Sequence, residues 1–98
     1  MNEYLLVICL SNRDADQARL HFIENHKDEI TAKPANRRII IRDKLAVDFV
    51  SMNNKAAFDG RKPRDILFTK AALAKGDPKK IYALISNFQL IMAIAARR

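Results

Sequence analysis

Residues 4–10, Tyr4-Leu5-Leu6-Val7-Ile8-Cys9-Leu10, form an unbroken apolar run that gives way at once to Ser11-Asn12-Arg13-Asp14, and this junction decides the fold. A strand with one wet face alternates apolar and polar side chains, whereas a strand covered on both faces, as in a parallel sheet between helices, is apolar throughout. The run is therefore expected to be the central strand of a sheet. Ser11 and Asp14 have the spacing of a capping box and open a helix that the periodicity carries to about Ile30. On that helix Ala15, Ala18, Phe22, Ile23, His26 and Ile30 fall on one face, and Asp14, Gln17, His21, Glu24 and Asp28 fall opposite.

Working outward, Thr31 to Asn36, with Pro34, reads as a loop, and Arg37-Arg38-Ile39-Ile40-Ile41 as a strand. A turn at Arg42-Asp43-Lys44 leads into Leu45 to Met52, where Leu45, Val47 and Phe49 share one face, so the two segments are expected to form a hairpin. Asn53 to Asp65 is a polar loop, and Ile66 to Thr69 a short strand. Lys70 to Lys75 gives a turn of helix closed by Gly76, and Asp77-Pro78 supplies the cap and first position of a last helix. In that last segment Ile81, Leu84, Ile85, Phe88, Ile91, Met92 and Ala95 make a helical stripe, but Leu90 to Ala96 is apolar all round. Two readings stay open: one helix to Ala96, or a helix ending near Asn87 followed by a strand. With 98 residues there is room for one core. The expected fold class is α/β: a single domain over residues 1–98, a small three-layer-like sheet with the order β-α-β-β-β-α and the final strand as the open alternative.

The chain is 49% hydrophobic and 30% charged with two glycines and three prolines, the composition of a folded domain rather than a disordered one. Cys9, the only cysteine, lies within the apolar run and is expected to pack as a small hydrophobe, which fits a reducing compartment. The run is too short for a membrane span, has no basic residue before it and no small-residue cleavage site after it, so the expected location is cytoplasmic, without signal peptide or anchor.

Charge is unevenly spread. Residues 1–30 carry three basic and six acidic side chains, a net of −3, and residues 31–98 carry fifteen basic and five acidic, a net of +10. A concentrated positive face gains free energy on a polyanion by releasing its counterions. Against this stands the absence of catalytic parts. Two histidines and one cysteine do not make a zinc site of the usual spacing, and no metal or other cofactor is expected. His26 reads as a core or boundary histidine. Ser11 and Ser51 have no glycine elbow, and neither phosphate-binding glycine pattern is present. The chain is accordingly read as no enzyme; Asp48, Asp59 and Asp65 are the internal carboxylates that an unrecognised catalytic site would have to use.

The candidate binding residues begin with Lys55, Arg61, Lys62 and Arg64, which surround Phe58 in the 53–65 loop, a combination suited to backbone phosphates with one base stacked on the ring. Lys70 and Lys75 follow, and Lys79 and Lys80 stand in the first turn of the last helix, where an anion would be welcome. The blander reading has Phe58 tucking the loop onto the core and the lysines solvated. Arg37, Arg38, Arg42 and Lys44 read as guards of an edge strand. The expected function is non-catalytic binding of nucleic acid or another polyanion. The alternative is a small adaptor or inhibitor module, phage-encoded in one version, that binds an acidic partner protein and forms a homodimer through its apolar C-terminus. Neither reading involves a membrane partner.

Several segments resemble a known family. Val7 to Ala18, with Asp16-Gln17-Ala18, looks like the strand and helix that follow the nucleotide-binding segment in the large terminase subunits of tailed phages and herpesviruses. Phe49 to Asn54, then Asp59-Gly60-Arg61, then Asp65 to Phe68 resemble the hairpin, arginine-glycine loop and Walker B strand of those enzymes, and Ile81 to Phe88 their next helix. The family holds magnesium and activates water with an acidic pair after the Walker B strand, where this chain has Thr69 and Lys70, and the Walker A segment is missing. The resemblance implies a fragment or degenerate relative of a packaging motor without ATPase chemistry. It confines function to the loop around Gly60 and Arg61, and it prefers the final strand.

Overall fold

The computed structural model describes the backbone of residues 3–35, 38–53 and 63–96. Its elements are β1 (Glu3–Cys9), α1 (Asn12–Asn25), β2 (Ile30–Ala35), β3 (Arg38–Ile41), β4 (Leu45–Ser51), β5 (Asp65–Phe68), α2 (Lys70–Lys75) and α3 (Pro78–Ala96). The strands form one mixed sheet in the order β2-β3-β4-β1-β5. β1 runs parallel to both of its neighbours, with Leu6 opposite Asp48 on one side and Ile66 on the other. The β3–β4 and β2–β3 pairs are antiparallel.

The apolar run of β1 is explained by what covers it. Cys9 packs with Val47, Phe49 and Ile39 beneath α1, which contributes Ala15 from its buried face and Phe22 and Ile23 beside it. Phe22 meets Phe49 edge-on with ring centroids 5.9 Å apart. Leu6 and Ile8 point the other way, into a second cluster with Met52 and Ala72, against which Ile66, Phe68, Ile81 and Leu84 pack. Helices thus lie on both faces of the sheet, and the chain is an α/β domain. The turn of the expected hairpin is present: Lys44 N–H donates to the Ile41 carbonyl at 3.0 Å, across Arg42 and Asp43 with φ of 51° and 59°. Such twin left-handed residues match the twist of the strands they join.

Two expectations change, and one open choice is resolved. Helix α1 stops at Asn25 rather than near Ile30, and the Glu29 N–H donates to the His26 carbonyl in a turn. Ile30 fits the helical stripe by spacing, but it belongs to β2, paired with Ile41. The segment expected as a loop, Thr31 to Asn36, is largely that edge strand, with register shifts on either side of Ala32. An edge strand tolerates Pro34 because one of its sides needs no ladder bonds. At the C-terminus a single helix reaches Ala96, and among the described residues no closing strand follows β5. The observed order among the described residues is β-α-β-β-β-β-α-α.

Candidate nucleic-acid interface

Strands β1, β4 and β5 run parallel, so Cys9, Ser51 and Phe68 end at one edge of the sheet. In open α/β sheets this carboxyl edge is where ligands bind, because helices start there and their unsatisfied N–H groups point outward. Ser11 caps α1, accepting the Asp14 N–H at 3.2 Å. Thr69 caps α2, accepting the Ala72 N–H at 3.1 Å, and the Asp77 carboxylate accepts the Lys79 N–H at 2.9 Å at the start of α3. Lys80 Nζ donates to Asn53 Oδ1 at 3.0 Å and thereby ties the first turn of α3 to the residue after the end of β4.

The turns after β1 and β5 leave toward opposite faces of the sheet, the arrangement that opens a ligand crevice in many α/β proteins. Here that crevice is bridged. Asp14 Oδ2 accepts the Leu10 N–H at 2.8 Å and the Thr69 hydroxyl at 2.6 Å, joining the two turns. Asp14 and Asp77 both accept local hydrogen bonds and keep their negative charge, and Asp77 is exposed like the cations around it.

Of the residues singled out in the sequence, Lys70, Lys79 and Lys80 are exposed in the first turns of α2 and α3, at the carboxyl edge. Lys75 is exposed in the last turn of α2, where its charge favours the negative end of the helix. Arg64 is exposed at the opposite edge, since its N–H donates to the carbonyl of Tyr4 near the start of β1, and it is not brought to the three lysines. Lys55, Phe58, Arg61 and Lys62 lie outside the described residues. Thr69, where the terminase resemblance would need a metal-holding acid, serves as the cap of α2.

Three features were not read from the sequence. Arg13 is exposed in the first turn of α1 and so joins the cations of the carboxyl edge; the cap at Ser11 was the available signal. Tyr82 is 75% exposed on α3, off the stripe that packs against the sheet. Arg38 makes a bidentate pair with buried Asp48, Nε to Oδ1 at 2.6 Å and Nη2 to Oδ2 at 2.7 Å. That hydrogen bond raises the Arg38 guanidinium above the ordinary arginine range, against the opposing effect of burial. Arg38 is thus no guard of an edge, because β2 covers β3. Arg42 pairs with Glu29 at 3.5 Å, and half-buried His26 stacks on Phe22 with ring centroids 4.3 Å apart.

Among the described residues no group of three His, Cys, Asp or Glu could hold a metal ion, and no helix is long and apolar enough to cross a membrane. No family model, no curated protein and no solved structure matches the chain.

Proposed function

We propose that this protein binds nucleic acid or a similar polyanion without catalysis, through a cationic rim formed by Lys70, Lys79 and Lys80, with Lys55, Phe58, Arg61 and Lys62 as the further contacts expected from the sequence. The observation that carries the reading is the clustering of capped helix starts and exposed lysines at one edge, where the acids Asp14 and Asp77 are engaged locally. Charged phosphates there would meet both lysine ammonium groups and the positive ends of helix dipoles, and would release counterions on binding.

A second reading, an acidic protein partner, draws support from Leu73, which is 59% exposed on α2 between Lys70 and Lys75. An apolar contact flanked by cations suits a protein surface. The experiment that tests the first reading is replacement of Lys70, Lys79 and Lys80 together by alanine, followed by a mobility-shift titration with DNA and with RNA. A marked loss of affinity is expected, because the triple variant removes three phosphate contacts. Affinity equal to that of the parent protein refutes the rim as the binding surface.

A further inference from the structure

The sheet ends in β5, and α3 leans over that edge. Between them Ile66 and Phe68 from the strand and Ile85 and Phe88 from the helix line a groove of about 440 Å³, to which Asp65 and Gln89 add polar groups. Its size lies within the roughly 300–1,000 Å³ typical of sites for small organic groups. The same flank of α3 continues toward the carboxyl edge. Lys79, Tyr82, Ile85 and Gln89 follow one another at steps of three or four residues and therefore form one row along the helix. In order, the row offers a cation, an aromatic ring that is 75% exposed, an apolar wall and an amide.

That sequence of chemistries has the layout of a nucleotide: phosphate, base face, base edge. We infer that this flank is a subsite for unpaired nucleobases of single-stranded nucleic acid, an inference that rests on the polyanion reading above. Lys79, with Lys70 just beyond the end of β5, takes the backbone phosphates, as a lysine does by point charge. Tyr82 offers a face on which any base can stack, and the rings of Phe68 and Phe88 in the groove can receive a second. A carboxylate such as Asp65 accepts hydrogen bonds from exocyclic amines, and an amide such as Gln89 both donates and accepts. Base-paired strands have those edges engaged with each other, so the subsite selects unpaired bases.

The test compares a short mixed-sequence single strand, the duplex of the same length and heparin, each binding to the parent protein and to Tyr82→Ala and Tyr82→Phe. Tyr82 is largely exposed, so removal of its ring leaves the core intact. The expected result is tighter binding of the single strand than of the duplex, with Tyr82→Ala weakening the single strand about tenfold. Duplex and heparin affinities stay unchanged, and Tyr82→Phe stays close to the parent. With two tyrosines and no tryptophan, the chain also reports stacking directly, as quenching of tyrosine emission that Tyr82→Ala abolishes. Unchanged single-strand affinity in Tyr82→Ala, or equal loss for all three ligands, overturns the subsite while leaving polyanion binding in place. No binding of any of the three overturns both.

Discussion

Asp48 interrupts the apolar strand Leu45–Ser51 and is buried, and its carboxylate is held by the bidentate contact with Arg38. Replacement by alanine leaves the guanidinium without its partner. The Arg38 side chain is 42% exposed and can be rehydrated in part. The expected cost of Asp48→Ala is therefore about 2 kcal/mol, below that of breaking a fully buried pair, and urea denaturation of parent and variant measures it. The guanidinium is raised above its ordinary range, so the stabilisation that this shift supplies is lost as pH rises through that raised range, in strong alkali. The pair was within reach of the sequence. A hairpin turning about Asp43 sets residues five before and five after it opposite each other, and these are Arg38 and Asp48. Without that step of register arithmetic, Arg38 looked like one more surface cation.

Among elements, the corner between α2 and α3 is tightly specified. Gly76 follows the last turn of α2 with ordinary extended backbone angles, so conformational freedom does not explain it. Space does. A Cβ there would collide with the Ala72 carbonyl oxygen and lie 2.9 Å from Met52 Sδ. Gly76→Ala should cost about 1–3 kcal/mol through overpacking and lower the thermal midpoint, which calorimetry would read; an equal or higher midpoint would contradict the packing described. The sequence made this corner legible as Gly76-Asp77-Pro78 punctuation. It hid β2 for a physical reason: an irregular edge strand with Pro34 lacks the alternation of a regular one, and Ile30 satisfies helical spacing while pairing with Ile41. The last helix was ambiguous because a run that is apolar all round carries no period.

At the scale of the whole molecule, the sheet separates two differently charged layers. α1, where Asp14, Asp16 and Glu24 outnumber Arg13 and Arg19, covers one face; α2 and α3, which carry Lys70, Lys75, Lys79 and Lys80, cover the other. The imbalance of −3 and +10 between residues 1–30 and 31–98 was plain in the sequence, and so was the central strand, because both depend on residue type alone. Which edge the lysines share depends on topology, which residue types do not encode. On the proposed reading the rim binds through phosphate neutralisation. Affinity for a polyanionic nucleic acid, measured across a series of salt concentrations, tests it most directly. Three lysine contacts predict a slope of log K against log salt of about −2.7 or steeper for a duplex, and a slope near zero would contradict the account.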